Sequence, residues 1–367
     1  MQKIPFLIES IDPLGQGVSR LNGKVVFIAK TLPGESGSAI SCKKAKGVEF
    51  ARLQKLEVTS PLRQAPSCAH YASCPGCQFL HAGYDTELAS KQDTLARYLG
   101  KLGVEKDVIE LIPAEQRLGY RNRIQLHYRS GKIGLVDGLI DTIVEIPDCQ
   151  VVQEELRASL AALYAGEEWK KGHGKQGHCE LYLRGGEVSV AWNDAYAHGG
   201  FSQVNSPMNE KLCALVKEAI VAEKPVALLD LFAGDGNLTN FLAAESAVSR
   251  LMVDQTGEAT ATFLPLNLLE DEALPRFKRR SPQKKFDLIV LDPPRGGFPA
   301  LAAWAAEFGP KTIIYVSCNP AALARDLAAL EGSYHIRTVA LVDLFPSTCH
   351  FETVVVLGKG RKKEKRK

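Results

Sequence analysis

The sequence predicts a multidomain protein with a small OB-like β-barrel, an α+β central domain and a C-terminal α/β domain of the doubly wound, Rossmann-like type. In the first 58 residues, short β patterns alternate with glycine turns, which is typical of a small barrel. After about residue 209, continuous apolar runs alternate with helical stretches, which is typical of a parallel sheet with both faces covered. A chain of 367 residues is long enough for two or three such domains.

The barrel is predicted over residues 1–58. Turns containing glycine or proline separate its β patterns, which lie at residues 6–11, 23–29, 37–42 and 51–58. A segment with Pro61 and Pro66 follows, and it reads as a linker that leads to a group of cysteines.

The central domain is predicted over residues 59–198. An amphipathic helix at residues 84–103 opens it, and a second helix is expected at residues 154–164. Its β patterns lie at residues 123–128, 143–146 and 180–184.

The C-terminal domain is predicted over residues 199–367 and begins with a helix at residues 209–221. Between Asp254 and Thr262 the chain is too short for a normal parallel crossover, which takes about a dozen residues or more. We therefore expect the helix that usually covers this part of the sheet to be missing. The strands are expected near residues 226–231, 250–254, 261–266, 286–291, 311–316, 336–341 and 352–357.

The net charge of +3 is unevenly distributed. Residues 358–367 hold seven Lys or Arg and one Glu, so the rest of the chain is slightly acidic. Such clusters suit a polyanion such as RNA, although a solvated tail or loop has the same composition. Further basic residues lie at 276–285 and at Arg117, Arg121, Arg123, Arg129 and Lys132.

Membrane insertion and secretion are both disfavoured by the sequence. No run of 18 apolar residues occurs, and the N-terminus lacks the apolar core of a signal peptide. We expect a cytoplasmic monomer whose nine cysteines act as metal ligands, nucleophiles or core residues rather than in disulfides.

Four of these cysteines form a candidate metal site. Cys68, Cys74 and Cys77 lie within ten residues that are too polar and too rich in Pro and Gly to be core, and Cys149 follows at a distance. Four thiolates can bind either zinc or a [4Fe–4S] cluster, and the spacing alone does not choose between them.

Three predicted strands of the C-terminal domain end in turns that suit ligand binding or chemistry. The first turn is DLFAGDGN at residues 230–237, where we expect a helix to begin at about Leu238 and Asp254 to reach a ribose hydroxyl. The second is DPPR at residues 292–295, which has Arg295 where methylation of an exocyclic amine usually uses an aromatic residue. The third holds a thiol, Cys318.

Cys318 and Glu352 together suggest chemistry at a pyrimidine C5 carbon. That carbon is a weak nucleophile until a thiolate adds at C6, and a base must later remove the C5 proton. The alternatives are an inert core thiol for Cys318 and a surface strand residue for Glu352.

At this point the sequence resembles the RNA uracil-5 methyltransferases, which depend on S-adenosylmethionine. The segment SCNPAALARD at residues 317–326 is similar to the nucleophile motif of the family, and DLFPSTCHFE at residues 343–352 to its general-base motif. The resemblance covers nearly the whole chain and implies that Cys318 and Glu352 are catalytic. The resemblance also implies a cofactor pocket formed by the motifs at residues 201–205 and 230–237 and by the later strand ends. Its residues would be Gln203, Phe232, Asn237, Asp254, Asn267 and Asp292.

The resemblance extends to the N-terminal half. Residues 1–58 look like a TRAM domain, and in the family the set Cys68, Cys74, Cys77 and Cys149 holds a [4Fe–4S] cluster. This combination is similar to the 23S rRNA branch and implies methylation of a uridine in a loop or flipped out of a stack. The alternatives are a tRNA uridine as substrate, or an RNA-binding protein with impaired cofactor binding.

Overall fold

The computed structural model describes residues 2–166, 168–170, 173–195, 203–244 and 247–360. Most of the basic tail, the predicted boundary near residue 198 and the first two residues of the motif at 201–205 lie outside these ranges. The chain forms two compact units, neither of which is continuous in sequence. Unit 1 comprises Met1–Lys91, Ala114–Ser206 and Phe345–His350, and unit 2 comprises Gln92–Pro113, Pro207–Leu344 and Phe351–Lys367.

The first sheet of unit 1 curls on itself. The segment from Lys3 to Ile11 pairs with β5 through its first half and with β3 through its second half, so one segment covers both edges of the sheet. Ile4, Phe6 and Ile28 fill the interior. The strands are β1 (Lys3–Leu7), β2 (Ser10–Ile11), β3 (Gln16–Leu21), β4 (Lys24–Ala29), β5 (Ser36–Ala45) and β6 (Val48–Val58), in the order β1-β5-β6-β4-β3-β2.

Helix α1 (Tyr84–Leu99) follows residues 68–77, which carry Cys68, Cys74 and Cys77 and are called the cysteine segment below. Acidic Asp85 and Glu87 in its first turn and Arg97 in its last turn suit the helix dipole. Short 3₁₀ turns at Gly100–Leu102 and Lys106–Val108 then lead to strand β7 (Ile109–Ile112), which belongs to the sheet of unit 2.

The second sheet of unit 1 is antiparallel. One of its faces packs on helix α2 (Glu154–Gly166) through Leu156 and Leu160, and a 3₁₀ turn at Glu168–Lys170 adds Trp169 to the same core. Its strands are β8 (Arg123–Arg129), β9 (Lys132–Asp137), β10 (Thr142–Val144), β11 (Gln176–Arg184) and β12 (Glu187–Trp192), in the order β10-β9-β8-β11-β12.

The sheet of unit 2 has eight strands in the order β15-β14-β13-β16-β17-β19-β18-β7. Every strand runs in the same direction except β19, which is antiparallel to both of its neighbours. The central strand β16 is buried along its whole length, as expected for a sheet covered on both faces. The strands are β13 (Ala227–Leu231), β14 (Ser249–Asp254), β15 (Phe263–Pro265), β16 (Leu288–Leu291), β17 (Thr312–Ser317), β18 (Tyr334–Val342) and β19 (Glu352–Lys359).

Four α-helices and one 3₁₀ helix accompany this sheet. Helix α5 ends at Gly309, whose φ of 56° is left-handed, and α6 begins with Asn319 as N-cap and Pro320 in its first turn. The helices are α3 (Ser206–Glu223), α4 (Ala273–Arg280), α5 (Leu301–Phe308), α6 (Pro320–Ala328) and the 3₁₀ helix Asn240–Ala244.

The structure confirms the predicted elements listed from the sequence and differs at a few points. Strands β3, β7, β9 and β12 were not predicted. The helix expected from about Leu238 is wrong, since turns continue to Thr239 and only a 3₁₀ helix follows. The predicted loss of a helix after Asp254 is confirmed, because residues 255–262 join β14 directly to its parallel neighbour β15 without one.

Among the described helices, none is long and apolar enough to cross a lipid bilayer.

The second sheet of unit 1 allows a test of the fold with two matched glycine variants. A Cβ at Gly134 would overlap the Val144 carbonyl on the neighbouring strand β10, whereas a Cβ at Gly138 meets no atom within 4 Å. We expect Gly134→Ala to lower the free energy of unfolding by about 1–3 kcal/mol, as overpacking does. Gly138→Ala is the control and should change it by less than about 1 kcal/mol. Equal denaturation midpoints for both variants would contradict the observed β9–β10 pairing.

Candidate active site

The carboxyl ends of five parallel strands, β13 to β17, lie at one edge of the unit 2 sheet. Because parallel strands end at the same edge, the residues that follow them converge. The predicted site residues at this edge are Phe232 after β13, Asp254 at the end of β14, Asn267 after β15, Asp292 after β16 and Cys318 after β17.

The reversed strand β19 brings Glu352 to the same edge. Ser317, the last residue of β17, pairs with Thr353. Cys318 directly follows β17 and Glu352 directly precedes Thr353, so the register leads one toward the other. Glu352 is also paired with Val342 of β18, which fixes its backbone from the other side. The structure therefore brings the predicted nucleophile and the predicted base together.

The turn that carries Cys318 is held by its neighbours. The Asn319 side chain accepts hydrogen bonds from the backbone N–H groups of Ala321 and Ala322 and donates to the Arg295 carbonyl at 2.8 Å. This second bond ties the start of α6 to the turn that follows Asp292. Asn319 was not singled out from the sequence, although an Asn directly before Pro is a recognisable helix start.

A second contact between α6 and the same turn lies deeper. The buried Asp326 carboxylate accepts from the Phe298 N–H at 2.6 Å and from the Tyr315 hydroxyl at 2.7 Å. Arg325 pairs with Asp326 and donates to the Gly296 carbonyl at 2.8 Å. The turns after β16 and β17 are thus one connected hydrogen-bonded structure.

Burial disfavours the charged forms of Cys318 and Glu352. It raises the pKa of the Cys318 thiol to about 12, with further increases from the negative charges of Glu352 and Asp292, while Arg295 acts in the opposite direction. Burial likewise raises the pKa of Glu352 well above its usual range, and Asp292 adds to this. The side chain of Glu352 is 4% exposed, and its Oε2 has no hydrogen-bond partner among the described residues.

The loop after β13 has the form of a ligand cradle. Phe232, Gly234 and Gly236 all have left-handed φ values, of 59°, 55° and 87°, which coil the backbone tightly. A Cβ on Gly234 would point into open space, so a ligand can approach the backbone closely there. Asp254 holds the loop, because its Oδ2 accepts from the Gly234 N–H at 3.0 Å.

Asp230 lies beneath this loop and is buried. Its carboxylate accepts from the Thr239 hydroxyl, and burial raises the pKa of Asp230 to about 7. Desolvation, with a further contribution from Asp230, also raises the pKa of Asp292. Burial therefore favours the protonated, neutral form of both Asp230 and Asp292.

Asn237 is held by a residue that the sequence did not reveal. The side-chain amides of Asn237 and Asn209, on α3, exchange two hydrogen bonds of 2.9 Å. Asn267 caps its own turn by accepting from the Leu269 N–H at 3.1 Å. Gln203 belongs to unit 1, where its carbonyl accepts from the Asn122 amide at 2.9 Å.

The four predicted ligand cysteines line one cavity of about 260 Å³ in unit 1. Burial, and then the charges of the neighbouring thiols, raise the pKa of Cys77. Within the described ranges, no three His, Cys, Asp or Glu side chains lie close enough to hold a metal ion. Thiolates around one zinc would all be about 2.3 Å from it, so the arrangement is wider than a single-ion site.

Lys30, at the end of β4, ties the first sheet of unit 1 to the cysteine segment. Its ammonium donates to the carbonyls of Tyr71, Ala72 and Cys74 and lies 4.7 Å from the centre of the Tyr71 ring. Burial lowers the pKa of Lys30, while the thiols act to raise it. No sequence pattern distinguishes this lysine from its exposed neighbours.

Three residues of the basic cluster predicted in the central domain are engaged in other contacts. Arg123 is 4% exposed and pairs with Glu180 at 3.1 Å, and Arg117 pairs with Glu87 at 2.7 Å. Arg121 lines the cysteine cavity. The expectation that Arg121 and Arg123 lie on an RNA face is therefore wrong for Arg123.

The run at residues 276–285 is only partly neutralised. Arg276 pairs with Glu270 and Lys278 with Glu307, whereas Arg279 and Lys285 make no ion pair with the described residues. The last turn of α4 therefore keeps some of its predicted positive charge.

We compared the sequence and the structure of this chain with those of known proteins. The sequence profile of the tRNA (Uracil-5-)-methyltransferase family matches residues 250–360. A protein named 23S rRNA (uracil(1939)-C(5))-methyltransferase RlmD, from Salmonella paratyphi A, is 30% identical over 423 aligned positions, which cover 97% of this chain and 96% of the relative. The chain belongs to the family of S-adenosylmethionine-dependent RNA uracil-5 methyltransferases.

Two further comparisons agree with this membership. A relative of the same name from Klebsiella pneumoniae is 29% identical, with 97% of this chain and 95% of the relative covered. The crystal structure of Pyrococcus abyssi tRNA (uracil-54, C5)-methyltransferase in complex with S-adenosyl-L-homocysteine matches with a TM-score of 0.72 at 24% identity. It covers 96% of this chain and 99% of that one, so the fold is shared over the whole length.

The burial of Glu352 predicts how stability depends on pH. Because its pKa is raised on folding, the stabilising effect of the protonated acid is complete below its ordinary value of 4.5 and is lost as the pH rises through the folded value. Glu352→Gln should therefore be more stable than the native protein at pH 8, with the difference shrinking toward pH 4.5. Thermal unfolding at both pH values measures this, with Glu258→Gln on an exposed loop as control. A native protein more stable than Glu352→Gln at pH 8 would contradict it.

Proposed function

We propose that this RNA uracil-5 methyltransferase methylates C5 of a uridine in 23S rRNA, with Cys318 as nucleophile and Glu352 as general base. The observation that carries the mechanism is the pairing of Ser317 with Thr353, which leaves Cys318 and Glu352 as cross-strand neighbours. Burial raises the pKa of the Glu352 carboxyl, so its carboxylate, once ionised, is a stronger base than that of an exposed glutamate.

The reaction balances with these two residues and solvent. The Cys318 thiol loses its proton to solvent, its sulfur bonds to uracil C6, and the C5–C6 π electrons move toward the C4 oxygen. S-adenosylmethionine, when bound, supplies the methyl group that C5 takes. Glu352 then accepts the C5 proton, the C5–C6 double bond re-forms, and the thiolate leaves C6.

The cofactor would be held by the cradle after β13 and its neighbours. The left-handed turns at Phe232, Gly234 and Gly236 fit a ligand that approaches the backbone closely. We assign Phe232, Asn237, Asp254, Asn267 and Asp292 to this pocket, and Gln203 through its motif. Asn209 and Asp254 orient the loop as well.

The substrate assignment rests on the names of the relatives. Those at 29–30% identity over nearly the whole chain are named for uracil 1939 of 23S rRNA, so that nucleotide is our first candidate. The three-part division at residues 58 and 198 and the TRAM character of the β1–β6 sheet form part of this proposal. Such a barrel would bind RNA, in the cytoplasm, where ribosomal RNA is modified.

We also propose that Cys68, Cys74, Cys77 and Cys149 hold a [4Fe–4S] cluster. Four thiols line one cavity, and four cysteines are the usual ligand set of such a cluster. A cluster binds each cysteine through a different iron, which suits an arrangement wider than a single-ion site. Its contribution would be to fix the segment after the first sheet to the second.

The nucleophile has a direct test. Native protein with a 5-fluorouridine RNA and S-adenosylmethionine should form a covalent adduct, because fluorine cannot leave as a proton does. Cys318→Ala should form none and lose turnover by a factor of about 10⁴ or more, while RNA affinity stays within a few-fold, because the thiol acts in bond formation. Cys42→Ser, on β5, is the matched control. Absence of the native adduct during active turnover would exclude the mechanism.

The substrate is tested by comparing 23S rRNA fragments with tRNA under the same conditions. We expect methylation of a fragment that contains uracil 1939, mapped at base resolution, and little of tRNA. Preferential methylation of tRNA would favour the activity named for the Pyrococcus protein. Failure to bind S-adenosylmethionine at all would instead favour an RNA-binding protein without catalysis. The short connection between β14 and β15 is the reason for considering this alternative.

The proposed cluster is tested by measuring the metal content of the purified protein. Anaerobically purified protein should be brown and carry about four irons per chain. Cys77→Ser should lose most of this iron, whereas Cys42→Ser should retain it. Colourless, active protein with one zinc per chain would refute the assignment.

A further inference from the structure

The edge of the unit 2 sheet opposite the candidate active site carries a row of lysines. The row lies on four strands that are neighbours in the sheet, β13, β16, β17 and β19, with about 4.8 Å between one strand and the next. All four lysines are exposed to solvent. They are Lys224 and Lys285, three residues before β13 and β16, Lys311, directly before β17, and Lys359, the last residue of the reversed strand β19.

Hydrogen bonds within the sheet fix the backbone of this row. The Asp287 carbonyl accepts from the Lys311 N–H at 2.7 Å, and the Lys311 carbonyl accepts from the Lys359 N–H at 2.9 Å. Asp287 also binds the start of β13, because its Oδ2 accepts from the N–H groups of Val226 and Ala227, each at 3.1 Å. The lysines therefore stand on an ordered edge rather than on separate loops.

The row is only weakly neutralised. Lys224 and Lys285 make no ion pair with the described residues. The ammonium of Lys311 lies 3.5 Å from the Asp287 carboxylate, yet the Lys311 side chain is 81% exposed. The Lys359 ammonium donates to the Gly309 carbonyl at 3.1 Å, which leaves its charge uncompensated. Most of the positive charge of the row thus faces solvent.

The remaining strands at this end of the sheet have a different charge. Glu331 lies three residues before β18, Asp107 lies two residues before β7, and both are exposed. Gly360 leads from Lys359 into residues 361–367, whose sequence holds six Lys or Arg and one Glu. Positive charge is therefore concentrated on the four neighbouring strands and does not extend along the whole edge.

The row is remote from the candidate nucleophile. Lys311 directly precedes β17 and Cys318 directly follows it, so seven residues at about 3.3 Å each separate the two by about 23 Å. Ammonium groups at this distance do not reach a uridine that reacts at Cys318. They suit the phosphates of an RNA that extends beyond that uridine, because phosphate contacts supply much of RNA affinity.

We propose that Lys224, Lys285, Lys311 and Lys359 bind phosphates of the RNA substrate outside the target nucleotide. This deepens the proposed function and rests on RNA as the substrate, but not on the roles of Cys318 and Glu352. Phosphate contacts position a nucleic acid without reading its sequence. The row therefore adds affinity for an RNA that continues beyond its target loop.

The test measures RNA affinity by fluorescence anisotropy over a range of salt concentrations. Lys285→Gln/Lys311→Gln removes two charges of the row. Its affinity for a 23S rRNA fragment with helices flanking the target loop should fall roughly tenfold at low ionic strength. The slope of log affinity against log salt should become shallower by about 1.4–1.8, which is about 0.7–0.9 for each lost contact. Affinity for the isolated target loop should stay within about twofold of native.

Two matched double variants serve as controls. Lys101→Gln/Lys217→Gln removes the same charge from exposed positions of unit 2 outside the row, in the 3₁₀ turn after α1 and on α3, and should keep the native slope. Lys285→Arg/Lys311→Arg retains both positive charges and should also keep it. Loss of the slope in this arginine variant would show that charge is not what the row contributes, and would contradict the inference.

The other outcomes are distinct. An unchanged slope in Lys285→Gln/Lys311→Gln would mean that the row is merely solvated and would overturn the inference. An equal loss with the isolated loop, or in Lys101→Gln/Lys217→Gln, would also overturn it, since the effect would not belong to the row. The same titrations with tRNA keep the proposed function separate. If native protein methylates tRNA and not the 23S fragment, the proposed substrate is wrong, whereas a shallower slope with tRNA still supports the row.

Discussion

The active site depends on one reversed strand in the sheet of unit 2. Parallel strands deliver only their carboxyl ends to the binding edge, and these ends supply Asp254, Asp292 and Cys318. A group at the start of a strand reaches that edge only if the strand runs the other way, as β19 does. The antiparallel pairing of β17 with β19 therefore brings Cys318, the proposed nucleophile, to Glu352, the proposed base, over a sequence distance that no local motif could span. Loss of that pairing would separate the two groups even if both side chains remained.

A second constraint is electrostatic. Cys318, Glu352 and Asp292 are crowded acids whose pKa values are all raised by removal from water, and Arg295 is the cation that acts against this for two of them. Such a site cannot hold several negative charges at once. In the proposed reaction, Glu352 must therefore be ionised before it can accept the C5 proton. The burial that raises the pKa of Glu352 also makes its carboxylate, once formed, a strong base.

Much of this arrangement could be predicted from the sequence, because apolar runs followed by polar turns mark strand ends wherever they occur. The turns after β13, β16 and β17 were located in this way, whereas the cysteine set was predicted from its spacing. The roles of Cys318, Glu352 and the four cysteines stay predictions. Features that depend on contacts distant in sequence could not be found. Ile109–Ile112 is too short to be distinguished from a loop, and it becomes strand β7 only by pairing with β18. Arg123 looks like a surface cation until its ion pair with Glu180 is seen. The helix expected after Leu238 was wrong because Gly234 and Gly236 keep the backbone turning, and a Cβ on Gly236 would overlap the Asn240 side chain.

The pairing of β7 with β18 also bears on how the chain is made. Ile109 meets Val339, about 230 residues later, so at about 5–20 residues per second a nascent chain waits roughly 10–50 s between the two. During that interval an apolar edge segment has no partner, and unpaired strands of this kind are prone to aggregate. Unit 2 closes only when β18 and β19 have left the ribosome, so its core is completed long after β7 has been made. An enzyme proposed to modify ribosomal RNA would thus carry an unpaired strand on the ribosome for most of the synthesis of this sheet.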